Sequence, residues 1–194
     1  MAKETKPVEK KAAAKKAPVK KAAAPKAAAP KKAVAPKEAA PKKAKGTEHL
    51  VLETTKGTVV IKFRPDLAPN HVARIAELAK TKFYDGVPFH RVIDGFMAQT
   101  GDPTGTGMGG SGHKLKAEFN AEAHVRGICS MARSQNPDSG DSQFFICFDN
   151  ARFLDRQYTV WGQVVEGMDN VDKIKRGEPV RDPDRIVTAS VELR

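Results

Sequence analysis

Phe89-His90-Arg91-Val92-Ile93-Asp94-Gly95-Phe96-Met97-Ala98-Gln99-Thr100-Gly101-Asp102 sets an arginine and a glutamine among large apolar side chains on two short strand-like runs. Ser142-Gln143-Phe144-Phe145-Ile146 repeats the pattern downstream, again with a glutamine beside aromatics. Successive side chains of a strand point to opposite faces. Gln143, Phe145 and Cys147 therefore share one face of 143–148, while Phe144, Ile146 and Phe148 share the other. Met97 and Gln99 pair in the same way, and Phe89, Arg91 and Ile93 form a third row. One face has to fill the core, which leaves amides and a guanidinium against aromatic surface on the opposite one. Such a wall can bind an uncharged backbone and favour one electron distribution in it, with no nucleophile, metal or cofactor. It suits an amide substrate that is never cut.

The flanking sequence extends this into many short strands. Residues 50–63 read as a hairpin turning at Lys56-Gly57. A helix is predicted over 69–80, where Val72, Ile75, Ala76 and Ala79 recur at helical spacing behind a proline suited to the first turn. Further strands are predicted near 87–93, 96–100, 127–132, 143–148 and 159–165. A second helix fits 168–176, with Met168, Val171 and Ile174 on one side and Gly177 as its terminator, before a final strand over 186–193. Short strands with glycine-rich connections and only two helices argue for a closed or nearly closed antiparallel barrel rather than a parallel sheet.

The charge of +11 and pI of 9.7 conceal two regions. Residues 1–46 hold 15 Lys, 3 Glu, 6 Pro and 16 Ala with no aromatic residue, a charge of +12. Residues 47–194 carry 19 Lys plus Arg against 20 Asp plus Glu, a charge of −1. The first region cannot bury enough apolar surface to offset chain entropy, and its prolines interrupt the helix that Ala and Lys favour. It reads as a disordered basic tail, with a root-mean-square span of roughly 40 Å. The remaining 148 residues suffice for one domain with a sizeable core. The tail has no apolar run of the kind an export signal needs, and no stretch approaches membrane-spanning length, so a cytoplasmic protein with no membrane partner is expected. Cys129 and Cys147 lie 18 residues apart without a CxxC or a neighbouring histidine, and read as buried free thiols.

Several motifs have a bland reading. Gly105-Thr106-Gly107-Met108-Gly109-Gly110 satisfies the dinucleotide fingerprint, but no helix opens behind it, so a tight surface loop is expected instead. Ser111-Gly112-His113-Lys114 matches a serine acylase signature whose companion motifs are absent. The five histidines are scattered without the spacing of a helical zinc pair, so no metal is expected. Alternation turns His90 away from Arg91 into a hydrogen-bonded packing role. On composition alone Arg91 is an ordinary salt-bridged arginine.

From about 49 to 193 the chain resembles the cyclophilin family of peptidyl-prolyl cis-trans isomerases. The resemblance rests on Phe89-His90-Arg91, the run 95–102, Ser130-Met131-Ala132, the run 142–146 and Phe153-Leu154-Asp155, in family order and spacing. It implies an eight-stranded antiparallel barrel closed by two helices, with the substrate groove on its outside. It implies a catalytic role for Arg91. Phe96, Met97, Phe145 and Leu154 match the proline-ring pocket; Gln99 and Gln143 match the amides that hold the substrate backbone, with Gln99 counted among the catalytic residues. Gly105 and Ala132 match positions lining the neighbouring groove.

Ala132-Arg133-Ser134 departs from the Ala-Asn-Ala of many eukaryotic members. Phe153 replaces their tryptophan and Tyr158 their histidine, a pairing like the bacterial branch in which both still contact substrate. Because the family's indole N–H supports cyclosporin binding, its absence implies weakened inhibition with catalysis retained. The implied partners are proline-containing peptides and unfolded clients, the implied state a monomer, and the implied task assistance to protein folding. Two other readings remain open: a nucleic-acid-associated protein working through residues 1–46, and a proline-peptide binding module without turnover.

Overall fold

The computed structural model describes residues 46–194; the basic tail expected over 1–46 lies, but for its last residue, outside them. Eight strands form one sheet: β1 Glu48–Thr54, β2 Gly57–Phe63, β3 Arg91–Ile93, β4 Met97–Thr100, β5 Ile128–Met131, β6 Phe144–Cys147, β7 Val160–Glu166 and β8 Ile186–Leu193. Their order across the sheet is β3-β4-β6-β5-β7-β2-β1-β8, and every pairing is antiparallel. The first hairpin turns at Thr55-Lys56, where Thr54 Oγ1 donates to the Gly57 carbonyl at 2.7 Å and accepts from the Lys56 N–H at 3.1 Å.

The sheet curls, yet its end strands β3 and β8 share no ladder. The chain just before each is stitched to the other by Phe89 N–H to Asp184 O at 2.8 Å, Ile186 N–H to Val87 O at 2.9 Å and Gly86 N–H to Ile186 O at 2.7 Å. The expected closed barrel is therefore seen as a curled sheet whose ends meet through irregular chain. Pro88 lies in the middle of that seam, and without an N–H it cannot extend a ladder. The same irregularity corrects the Phe89, Arg91, Ile93 row: β3 begins only at Arg91, so Phe89 turns into the main core instead.

Helix α1 spans Pro69–Lys80, as the periodicity predicts, and buries Val72, Ile75, Ala76, Leu78 and Ala79. Its first turn lacks an acidic residue of its own. Glu118, from a distant loop, takes that place and accepts from the N–H groups of Asn70 at 3.2 Å and His71 at 3.0 Å, which satisfies donors that a helix start leaves free. Helix α2 covers only Met168–Asp172, shorter than the expected 168–176. Val171 and Ile174 are buried as their spacing requires, but the Lys175 N–H is captured by Asp184 Oδ2 at 2.9 Å. Gly177 then pairs with Val92 rather than terminating the helix. Gly167, at φ +82°, lets α2 start against β2, because a Cβ there would lie 2.1 Å from the Thr58 carbonyl oxygen.

The core holds Trp161, Tyr84, Phe63 and Phe144, with edge-on contacts of 5.2 Å between Phe144 and Trp161 and 5.6 Å between Tyr84 and Phe144. Both cysteines are buried and unpaired, and burial pushes the Cys147 thiol up to about 12. A second apolar cluster of Met97, Phe145, Cys147, Ala151 and Leu154 sits on the opposite face of β4 and β6. Alternation along β6 separates the two: Phe144 and Ile146 belong to the core, Phe145 and Cys147 to the second cluster.

Candidate active site

The second cluster faces outward and carries polar residues along its border. Register places Arg91 of β3 opposite Gln99 of β4, and Gln99 opposite Phe145 of β6, so a cation, an amide and an aromatic stand in one row across three strands. Cross-strand neighbours of this kind have Cβ atoms about 4.5–5.5 Å apart. Just past the end of β4, the chain approaches the start of β6 closely at Gly101, φ +93°, where a Cβ would lie 2.3 Å from the Ser142 carbonyl oxygen.

A cavity of about 100 Å³ opens beside the row, lined by Arg91, Phe96, Met97, Gln99, Ala132, Arg133, Phe145, Leu154 and Tyr158. Beyond Gln99, Ala132 and Arg133 a larger hollow of about 370 Å³ continues along Gly107, Gly109, Ser134, Asp141 and Gln143. Together they make one groove, its narrower part walled by aromatic and aliphatic side chains with Arg91 and Gln99 at the border, its wider part carrying the amides and loop carbonyls. Eight of the anticipated positions thus line the smaller cavity and Gln143 the larger. Phe153 is 66% exposed and packs behind Phe96 at 5.4 Å between ring centroids, outside both cavities. Gly105 lines neither; it sits against Pro88.

The hydrogen bonds of the wider part fix the direction of each amide. Gln143 Nε2 donates to the carbonyls of Gly107 at 3.0 Å and Gly109 at 2.7 Å, which can only accept. Its Oε1 must then receive Gln99 Nε2, at 2.9 Å, so that Gln99 Oε1 is left toward Arg91 Nη1, at 3.5 Å. A guanidinium can only donate, so both ends of this relay agree on one orientation. The loop carrying those carbonyls is the glycine-rich stretch whose fingerprint was discounted above. It folds around the fully buried Asp102, whose carboxylate accepts from Thr104 N–H and Oγ1 and from the N–H groups of Gly107 and Gly109. Although burial works against the charge, those donors hold the Asp102 carboxyl down at about 2. The loop is a clasp for a carboxylate rather than a cradle for a phosphate.

Beneath Phe145 lies an arrangement that the sequence reading missed. His124 stacks on the ring at 6.3 Å, with Nδ1 3.1 Å from Asp155 Oδ1 and Nε2 3.1 Å from Ser130 Oγ. The three residue types imitate a hydrolytic triad, but Ser130 is fully buried and its hydroxyl donates to the Thr159 carbonyl at 2.9 Å. No substrate carbonyl can reach it. Burial pushes the His124 pKa below its ordinary value although Asp155 opposes the shift, and the ring serves as a support for Phe145. His90 is buried as expected; neither ring nitrogen makes a hydrogen bond of ordinary geometry, but the Pro88 carbonyl and the Gln143 side chain are close enough to favour its charged form. Arg133, noted in the sequence only as a departure, lies across Tyr158 with its guanidinium carbon 4.6 Å from the ring centre and divides the two hollows. Glu178 was missed altogether; it accepts from Arg91 Nε. Arg91 is thus salt-bridged and faces the cavity, so its two sequence readings hold together. Among the described residues no cluster of three or more metal-ligating side chains occurs.

An outward cavity lined by Phe96, Met97, Phe145 and Leu154, a cation at its mouth and an amide relay on a curled antiparallel sheet make a groove suited to an uncharged peptide-like ligand. The chain belongs to the cyclophilin type peptidyl-prolyl cis-trans isomerase/CLD family, matched over residues 49–191. It is 51% identical to a probable peptidyl-prolyl cis-trans isomerase of Brucella abortus, with 74% of this chain and 82% of that protein covered. A crystal structure of a cyclophilin from Hirschia baltica superimposes with a TM-score of 0.67 at 34% identity, covering 73% of this chain and 72% of that one. A Cryptosporidium parvum cyclophilin type isomerase, crystallised in the presence of the dipeptide Ala-Pro, gives 0.70 at 26% identity over 75% of this chain and 99% of that one. The activity is therefore peptidyl-prolyl cis-trans isomerisation; the family anticipated from the motifs stands, and of the anticipated fold the eight antiparallel strands and two helices stand, without the closed barrel.

Proposed function

We propose that Arg91 is the catalytic donor for rotation about Xaa-Pro bonds, and that Phe96, Met97, Phe145 and Leu154 hold the proline ring. The observation that carries this reading is the position of the guanidinium at the mouth of the apolar cavity, beside Gln99. An X-Pro peptide bond rotates over a barrier of ~18–20 kcal/mol because the nitrogen lone pair is delocalised into the carbonyl. At the twisted midpoint that lone pair is localised and basic. A fixed N–H donor aimed at the prolyl nitrogen therefore stabilises the midpoint more than either planar isomer, which is the condition for catalysis. Arginine is suited to the role because it stays charged and does not act as an acid that would lead to hydrolysis.

The apolar walls thin the water around that contact and strengthen it. Gln99 and Gln143, with their amide directions set by the loop carbonyls, hold the substrate backbone, while Ala132, Tyr158 and the outlying Phe153 bound the groove. Gly105 acts only indirectly, through the loop. The test is Arg91→Ala in a protease-coupled isomer assay. It is expected to lower kcat/KM by roughly 10²–10³ with little change in stability; activity near that of the unaltered protein overturns the assignment.

In the finer reading, this monomer assists folding of proline-containing clients in the cytoplasm, and its lysine-rich N-terminal region tethers it to nucleic acid or other acidic surfaces. The charge of +12 on residues 1–46 against −1 on the rest supports that division. Lysines without aromatics attract phosphate but stack no bases, so such binding is sequence-blind and salt-sensitive. Gel shift with and without residues 1–46 at two salt concentrations tests it: retention that is unaffected by salt or by the tail removes the tethering role.

A further inference from the structure

Arg91 is flanked on one side by Gln99 of β4 and on the other by the segment that follows α2. That segment runs beside β3, and its backbone is fixed independently of any side chain. Val92 N–H donates to Gly177 O at 2.8 Å and Gly177 N–H returns a bond to Val92 O at 2.8 Å, while Val180 N–H donates to His90 O at 3.1 Å. Arg91 therefore lies between two bonded positions, and Glu178 lies between the two positions bonded to them. The ladder places the carboxylate against the Arg91 side chain before the two charges interact.

The pair contributes little to folding. Its side chains are 38% and 56% exposed, and ion pairs that solvent reaches this freely contribute little to stability. Its geometry matters more. A guanidinium offers five N–H donors in one rigid plane, and rotation about the long arginine stem sweeps that plane through many orientations. Glu178 Oε1 accepts from Nε, the single donor nearest the stem, and Gln99 Oε1 approaches Nη1 at 3.5 Å. Two contacts from opposite sides fix the plane. The remaining donors on Nη1 and Nη2 are left for the cavity lined by Phe96, Met97, Phe145 and Leu154.

We propose that Glu178 is a positioning residue for catalysis: it holds Arg91 by its Nε so that the Nη donors address the rotating amide. This rests on the catalytic reading of Arg91 given above. The test compares Glu178→Ala, Glu178→Gln, Arg91→Ala and the double variant Arg91→Ala/Glu178→Ala in the full chain, by kcat and KM for one short Xaa-Pro peptide and by thermal unfolding. Loss of orientation is expected to lower kcat about three- to ten-fold in Glu178→Ala while KM stays within about two-fold. Glu178→Gln keeps a carbonyl oxygen for Nε and is expected to retain at least about half the activity. Both single Glu178 variants are expected to unfold within ~2 °C of the parent.

The double variant is expected to be no slower than Arg91→Ala alone, since a residue acting through another adds nothing once that other is gone. The proposal is overturned if Glu178→Ala matches the parent while Arg91→Ala is impaired, if the Gln variant is as slow as the Ala variant, or if the two losses add. Should Arg91→Ala itself be unimpaired, the catalytic reading fails first and this one with it.

Discussion

The two faces of β4 and β6 make the most informative comparison in the molecule. Behind the sheet, Phe144 and Ile146 join Trp161, Tyr84 and Phe63 in a core sealed from water. In front, Phe145, Met97 and Leu154 are almost as well buried, but their cluster ends at a border of Arg91, Gln99, Gln143 and Arg133. The faces are built from neighbouring residues of the same strands. What differs is what closes them: apolar side chains behind, polar side chains and an open cavity in front. Adjacent phenylalanines therefore have different surroundings: Phe144 holds the fold, and Phe145 faces the cavity in which we propose the proline ring binds.

The largest expected effect separates those tasks. Phe144→Ala removes a fully buried ring that contacts Trp161 and Tyr84, and is expected to destabilise by about 3–5 kcal/mol while the folded fraction keeps kcat/KM within a few-fold. Phe145→Ala opens a ring site that already borders solvent, so its stability loss is expected to be smaller and its loss of kcat/KM far larger. Thermal unfolding and the coupled isomer assay on both variants check this. Equal catalytic losses per folded molecule would break the division between the faces.

The clasp around Asp102 gives the next effect, because it links stability to the front face. Its carboxyl is depressed from an ordinary value near 3.8 to about 2. The sign follows: the carboxylate stabilises the fold above the unfolded value, and that stabilisation is lost as pH falls from about 3.8 through about 2. A shift of that size corresponds to about 2 kcal/mol. Asp102→Asn turns an amide NH₂ toward N–H donors, so a comparable loss near neutral pH is expected. Because the same loop presents the Gly107 and Gly109 carbonyls to Gln143, kcat/KM should fall about ten-fold as the amide relay loses its fixed direction. Urea unfolding beside the coupled assay separates the two losses; full activity in a destabilised variant would show that the relay does not depend on the clasp.

How much of this was legible in the sequence follows from the range of each contact. The rows Gln143–Phe145–Cys147 and Met97–Gln99 could be read from alternation because β4 and β6 are regular where those residues lie. Helix α1 was legible from its proline and its apolar spacing. Phe89 was misplaced because alternation fails when a strand stops, and nothing local announces that β3 begins only at Arg91. The overlong α2 has the same origin: Met168, Val171 and Ile174 keep helical spacing, while the group that ends the helix, Asp184, comes from further along the chain. Glu178 lies 87 residues from Arg91, and only the folded seam between β3 and the segment after α2 brings them together. Arg91, Gln99 and the apolar pocket carry local and family signals; the partners that orient them do not.

The smallest expected effect concerns the buried histidines. Burial pushes the pKa of both His90 and His124 below the ordinary value of 6.5. The lowering at His90 is opposed by Asp102, the Pro88 carbonyl and the Gln143 side chain and assisted by Arg91, while at His124 it is opposed by Asp155 alone. A histidine kept neutral in the fold but free to charge when unfolded takes up a proton on unfolding, so its stabilising contribution is complete above about 6.5 and is lost as pH falls below that toward the folded value. The unfolding midpoint is therefore expected to decline from pH 7 to pH 5, with a shallower decline in His90→Gln. Catalysis should not follow it. A guanidinium keeps its charge across this range and the histidine under Phe145 only supports the ring, so kcat/KM of the folded protein is expected to stay nearly flat between about pH 6 and 8. A bell-shaped profile across that window would mean that a titrating base takes part, and the boundary drawn here between the face that folds and the face that works would have to include His90.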